Sequence, residues 1–238
     1  FLQVLDLNPE HSDAKLNATQ TCNEFGIKLH KKYEYNEALK YFKTVINLAP
    51  SDYLGYFNMG NTYFELKDFK NAKAYFKKAL QMEPKNEQVH ANLGEVYRIL
   101  GEIKKSLNCY NAAIKINPQN PNNYYNIAIL SNDAGLTDKA EENYKKAITI
   151  DPKHIGSYHN LALLYEVRGN LKEALLLVNN GLKCDISHPE LNYANGMMSL
   201  KSGNFKQINQ WLITKIHSHA SSLPFDELVN QAVHSSLN

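Results

Sequence analysis

The sequence predicts an all-α protein, an α–α superhelix of stacked helix–turn–helix hairpins. Four sets of residues recur at one fixed step and carry that prediction. Pro50, Pro84, Pro118 and Pro152 fall 34 residues apart. Gly101, Gly135, Gly169 and Gly203 keep the same step. So do the small residues Ala38, Ala72, Ser106, Ala140 and Ala174, and the aromatics Phe42, Phe76, Tyr110 and Tyr144. A constant period of this length marks a stacked array, in which each unit buries its apolar face against its neighbours.

Residues 53–86 show how one period is built. Tyr56, Met59, Gly60 and Tyr63 are spaced by three, four and seven, so they share one helical face. Leu66 and Lys67-Asp68 close that helix, at the place where later copies carry glycine. Glycine there supplies the left-handed residue after which the chain reverses. A second helix follows, with Phe69, Ala72, Phe76, Ala79 and Leu80 on its inner face. Ala72 is small because the two helices cross closely, and Phe76 fills the wedge beside it. Pro84 ends the second helix, Asn86 caps the next, and Asn120-Pro121 repeats that start with a proline at the first helical position.

The periods divide the chain as follows. Residues 1–11 read as the second helix of a preceding repeat, with Leu2 to Pro9 at its centre. Residues 12–52 form a hairpin with a lengthened first helix. Four regular hairpins follow at 53–86, 87–120, 121–154 and 155–188. A degenerate one at 189–222 carries Trp211, and residues 223–238 form a capping helix. Pro9 to Pro50 is 41 residues, seven more than one period. Seven residues are close to two helical turns, so the helix holding Leu16, Cys22, Phe25, Gly26 and Leu29 is expected to be longer by that amount. A loop insertion after Pro9 is the alternative. Near the far end Ile186 takes the proline slot while Gly203 holds phase. Ser218 to Ser222 reads as a loop. Pro224 then opens a helix with Phe225, Leu228, Val229, Ala232 and Val233 on one face, suited to closing an array.

These residues resemble the tetratricopeptide repeat, a 34-residue helix–turn–helix. Its pattern is filled by Tyr56, Met59-Gly60, Tyr63, Ala72, Phe76, Ala79 and Pro84, then by His90, Leu93-Gly94, Tyr97, Ser106, Tyr110, Ala113 and Pro118. Tyr124, Ile127-Ala128, Ala140, Tyr144, Ala147 and Pro152 fill it again, and Tyr158, Leu161-Ala162, Tyr165 and Ala174 begin a further copy. The resemblance implies a protein–protein interaction scaffold whose first helices line a concave groove.

Composition narrows the classes further. Hydrophobic residues make up 43% of the chain, too many for a disordered segment. A net charge of +2 gives no broad grip on nucleic acid or membrane. No apolar run reaches membrane-spanning length. Cys22, Cys109 and Cys184 form no pair, which fits a reducing, cytoplasmic address, with nucleus or cilium as alternatives. Asn17-Ala18-Thr19 matches a glycosylation sequon, against the cysteines' intracellular reading. The chain opens on Phe1 in mid-pattern and so reads as part of something longer, with any targeting signal outside it.

No nucleophile elbow, metalloprotease helix, phosphate loop or dinucleotide fingerprint is present. No catalytic role, metal or cofactor is expected. His217 and His219 are two apart, so a helix would turn them away from one metal ion.

One position before each Leu-Gly pair stands Asn58, Asn92, Asn126 or Asn160, each 34 from the last. An Asn side chain offers a carbonyl acceptor and an amide donor, so such residues can pair with the backbone of an extended peptide. The row resembles the asparagine ladder of the O-linked N-acetylglucosamine transferase superhelix. The competing reading is inheritance through duplication, without ligand contact. Glu24 and Ala194 interrupt the row at its ends. Phe57, Tyr125, His159 and Tyr193 precede the row and are expected to project into the groove, or else to pack on adjacent repeats. Asn61, Glu95, Arg98, Asn132, Asp133 and Glu166 flank it.

Co-chaperone tetratricopeptide domains grip a C-terminal carboxylate with cations on successive first helices. The matching positions here are Asn23, Phe57, Ala91 and Tyr125, and Gln20, Leu54, Gln88 and Asn122. Binding of heat-shock chaperone C-terminal tails is therefore disfavoured. Three partner classes remain: a protein or peptide segment in the groove, the substrate of a larger enzyme such as a protein O-glycosyltransferase, and the other subunits of a large assembly of the intraflagellar-transport or cell-cycle-ligase type.

Overall fold

The structure, a computed structural model, describes residues 11–203 together with Val4 and Asn8. Its described residues form eleven α-helices: α1 Ser12–Lys31, α2 Tyr35–Leu48, α3 Tyr53–Glu65, α4 Phe69–Met82, α5 Glu87–Ile99, α6 Ile103–Ile116, α7 Pro121–Asp133, α8 Thr137–Ile150, α9 Ile155–Val167, α10 Leu171–Cys184 and α11 Pro189–Lys201. The chain divides into two compact units, Phe1–Gln119 and Asn120–Asn238. No described helix is long and apolar enough to cross a membrane. The helices expected at Leu2–Pro9 and after Pro224, the loop at 218–222, Trp211, His217 and His219 lie outside the described residues.

Unit one holds three hairpins, α1–α2, α3–α4 and α5–α6. Each second helix also packs on the next first helix, α2 on α3 and α4 on α5. First helices touch directly as well, α1 with α3 and α3 with α5. Unit two repeats the scheme with α7–α8 and α9–α10, while α11 packs on α10 and α9. The first helices α3, α5, α7, α9 and α11 have 13 residues each, whereas α1 has 20. The extra seven residues between Pro9 and Pro50 are therefore helical, adding about two turns.

Each second helix buries one stripe at steps of four and three. Ala38, Phe42 and Val45 form it in α2, Ala72, Phe76 and Ala79 in α4, and Ala140, Tyr144 and Ala147 in α8. The close crossing has a measurable cause in unit one. A methyl group placed on Gly60 would come within 2.6 Å of the Phe76 ring, and one on Gly26 within 2.5 Å of Phe42. Gly94 stands in the same relation to Tyr110. Ser106 takes the small-residue slot of α6 and donates its hydroxyl to the Gly94 carbonyl at 2.8 Å.

The turns inside the hairpins share one geometry. The residue at positive φ is Tyr33, Lys67, Gly101, Gly135, Gly169 or Gly203, each 34 after the last. In the first five, two backbone bonds wrap the helix end; at Gly101 they run from Gly101 N to Arg98 O and from Glu102 N to Tyr97 O. This is the six-to-one and five-to-two pairing that satisfies the last helical carbonyls. Tyr33 and Lys67 adopt it without glycine, at φ 65° and 61°.

The starts of the first helices are also in register. Asp52, Asn86, Asn120, His154 and His188 each accept a backbone N–H from the first turn with a side-chain atom. At His154, Nδ1 accepts from Ser157 N while Nε2 lies 3.1 Å from Asn122 Oδ1. That pairing selects the neutral tautomer with its proton on Nε2. Burial holds the His154 pKa below the ordinary histidine value, although Asp151 works in the opposite sense. The second helix α10 ends at Cys184 despite lacking the proline. Asp185 organises the exit there, accepting from the backbone N–H of Ser187 at 2.9 Å.

Candidate interaction surface on the first helices

Asn58 and Asn61 lie on the side of α3 opposite Tyr56, Met59 and Tyr63, because steps of three and seven keep the latter on one face. The same register sets Asn92 on α5 and Asn126 and Asn160 on unit-two helices α7 and α9. All four asparagines are half-buried.

Three of them reach back to the preceding first helix. Asn58 Nδ2 donates to Asn23 Oδ1 at 2.7 Å, and Asn92 Nδ2 donates to Asn61 Oδ1 at 2.8 Å. In unit two Asn160 Nδ2 donates to the Tyr125 hydroxyl at 3.1 Å. Each such bond uses one donor and leaves further amide capacity. The side chain of Asn126 makes no hydrogen bond among the described residues. The row thus bridges neighbouring repeats while keeping polar atoms at a half-exposed surface. Sequence reading found the row but not its acceptors: Asn23 and the Tyr125 hydroxyl share one register position, 35 residues before their donors, while Asn61 stands 31 before Asn92.

The residues just before the row divide by burial. Phe57 requires correction: it is only 9% exposed and belongs to the core with Phe76, Val89 and Leu93. Its ring centroid lies 6.1 Å from that of Phe76, and with Val89 and Leu93 of the next hairpin this apolar packing holds it away from solvent. Tyr125 is half-buried, with its ring 5.9 Å from Tyr144 and 5.0 Å from His154. It too packs on the neighbouring hairpin, and Gly156 leaves the room, since a Cβ there would come within 3.2 Å of the Tyr125 ring. His159 is half-buried, with Nδ1 3.8 Å from Glu190. Tyr193 is the exposed one, at 53%.

The flanking charges are largely spent within the protein. Arg98 donates from Nε and from a terminal nitrogen to Glu95, at 2.8 and 2.7 Å. The Tyr110 hydroxyl donates to the same carboxylate at 2.9 Å. Burial alone would raise the Glu95 pKa, but the Arg98 and Tyr110 bonds bring it below the usual carboxylate value. Glu166 receives Lys201. In unit two a cavity of about 330 Å³ opens beside Asn160, walled by Ile129, Leu163, Leu164 and Tyr144, with Asn132 and Asp133 at its edge. Burial pushes the Tyr144 phenol up to about 12, so it stays protonated.

No cluster of three metal-ligating side chains occurs among the described residues. Cys22 is buried, and burial pushes the half-buried Cys109 thiol up to about 11, far from a reactive thiolate.

Models of the tetratricopeptide repeat match residues 53–86 and 121–154, a further tetratricopeptide model matches 143–175, and a TPR-repeat model matches 94–130. No curated protein matches the chain. Among solved structures, MamA is 25% identical with a TM-score of 0.60, covering 67% of this chain and 94% of MamA. PilF of Pseudomonas aeruginosa has a TM-score of 0.74 at 12% identity, covering 92% of this chain and 99% of PilF. YrrB, described as a TPR protein with an unusual peptide-binding site, has a TM-score of 0.60 at 23% identity, covering 82% of this chain and 96% of YrrB. Two of these matches, 53–86 and 121–154, coincide with the hairpins α3–α4 and α7–α8, and the neighbours share the fold, so the chain carries tetratricopeptide repeats over residues 53–86 and 94–175.

Proposed function

We propose that the protein is an interaction scaffold that holds an extended segment of a partner against its first helices. The observation that carries this reading is the asparagine row: half-buried amides, one on each of α3, α5, α7 and α9, on the side of those helices away from the hairpin core. Buried polar groups are costly unless paired, and a row of partly used amides is suited to pair with the backbone N–H and C=O of a peptide. A peptide-binding site on the same fold in YrrB agrees with that use.

Asn126 is the cleanest residue to change, because its side chain holds no hydrogen bond among the described residues. Asn92→Ala removes the bond to Asn61 as well and serves as the stronger variant. Affinity capture with wild-type protein, with Asn126→Ala and with the Asn92→Ala/Asn126→Ala double variant should show partners retained by the first and lost stepwise from the others. Undiminished affinity in the double variant for every captured partner would sink the role of the row.

A further inference from the structure

On the other side of α3, unit one has a second feature that the asparagine row does not use. A cavity of about 400 Å³ lies between α2 and α4, floored by Met59 of α3. That volume falls at the small end of ligand sites, which run about 300–1,000 Å³. Its walls are Tyr56, Tyr63 and Tyr75, and its rim carries Lys40, Lys43 and Lys78. Tyr63 and Tyr75 are stacked, their centroids 5.4 Å apart and their planes 15° from parallel. Lys78 Nζ sits 5.5 Å from the Tyr75 ring and 5.9 Å from the Tyr56 ring.

The charge around this cavity has one sign. No carboxylate lines it. Lys40 is paired with Glu37 at 2.6 Å, on the exposed surface of α2. Among the described residues, neither Lys43 nor Lys78 has a carboxylate partner, and the Tyr63 and Tyr75 hydroxyls make no hydrogen bond. The cavity therefore offers an aromatic slot edged by cations and hydroxyl donors.

The repeat does not demand this arrangement. Tyr56 and Tyr63 occupy register positions, but Tyr75 is followed one period later by Cys109 and two periods later by Asn143. Lys78 gives way to Ala112 one period later, and Lys40 to Ala74. Lys43 recurs as Lys77 and Lys78 recurs two periods later as Lys146, over Tyr124, so the local departure is Tyr75 stacked on Tyr63 with Lys40 beside it, and departures of that kind are where function departs from packing.

We infer that this cleft between α2 and α4 binds an acidic peptide segment of a partner protein, with an aromatic side chain packed against the wall of tyrosines and flanking carboxylates on Lys43 and Lys78. Charge complementarity selects the carboxylates, and offset aromatic contact selects the ring. The site is separate from the first-helix surface and does not rest on the function proposed for it.

The test uses the whole chain and the capped peptide Glu-Asp-Phe-Asp-Glu, titrated by fluorescence polarisation. Binding is expected, with no binding of Lys-Arg-Phe-Arg-Lys and weakened binding of Glu-Asp-Ser-Asp-Glu. Lys43→Glu with Lys78→Glu should weaken it by about tenfold or more, and rising salt should weaken it further, as for partly exposed charges. Both lysines are exposed, so the variant should keep its helical circular dichroism. Asn92→Ala should leave this affinity unchanged, which separates the two sites. The inference is overturned if the peptide does not bind, if charge reversal at both lysines leaves affinity intact, or if phosphatidylserine vesicles bind with the same lysine dependence while the peptide does not.

Discussion

In unit one, Gly26, Gly60 and Gly94 lie directly under the rings of Phe42, Phe76 and Tyr110. In unit two the same register positions hold Ala128 and Ala162, and both are fully buried. Their hairpin partners are Tyr144 in α8 and Val178 in α10. The turns differ in the opposite sense. Unit one forces Tyr33 and Lys67 into the left-handed region and uses glycine at its third turn, Gly101, while unit two uses glycine at Gly135, Gly169 and Gly203. The asparagine bonds differ as well, running to Asn23 and Asn61 in one unit and to a tyrosine hydroxyl in the other. One 34-residue register therefore specifies where helices meet and turn, and leaves open which atoms close the contact.

The contrast can be broken most severely at the rings. Phe76→Ala removes a fully buried side chain and should cost about 3–5 kcal/mol in urea unfolding. Val178→Ala, a smaller loss at the matching site of unit two, should cost clearly less. Equal effects would mean that the ring-on-glycine contact has no special weight.

Gly94→Ala comes next. A methyl group there would meet the Tyr110 ring at 2.8 Å, so overpacking should cost about 1–3 kcal/mol. Ala128→Gly adds no clash and should cost only about 1 kcal/mol through helix propensity. The turn positions give a change of either sign. Lys67→Gly relieves a left-handed lysine and should raise stability by about 1 kcal/mol, whereas Gly135→Ala should lower it by about 1 kcal/mol. A fall in stability for Lys67→Gly would show that its side chain contributes more than its backbone loses.

The smallest effect concerns pH. The folded pKa of His154 is lowered, so the unfolded chain binds the proton more readily. Stability from the neutral histidine cap is present above the ordinary value of 6.5 and is lost as pH falls through it toward the lowered folded value. His154→Asn restores the cap residue of Asn86 and Asn120 and should flatten this part of the pH profile. The profile is not expected to become flat, since His30 in unit one is also lowered, chiefly by burial.

Much of the fold was legible because it depends on spacing. Prolines, glycines and small residues at one step determine helix ends and crossings whatever the solvent does. The candidate surface was legible only as far as the backbone register carries it. The positions of Asn58, Asn92, Asn126 and Asn160 follow from the period, but their bonds depend on rotamers and on residues a whole repeat away. Phe57 shows the limit. Its place in the register matches that of Tyr125 and His159, yet the ring turned inward because Phe76 and Leu93 offered apolar surface within reach. The Tyr75 and Lys78 cluster was invisible for a related reason: its cavity joins two second helices, and no short motif spans them.

The most direct measurement of the central claim is site-specific photo-crosslinking in unit two, with a benzophenone side chain at Asn132 on first helix α7 or at Lys145 on second helix α8, both exposed. If a partner segment lies along the first helices, the captured partner crosslinks from position 132 and not from position 145. Crosslinks confined to position 145 would contradict the account and move the binding surface to the second helices.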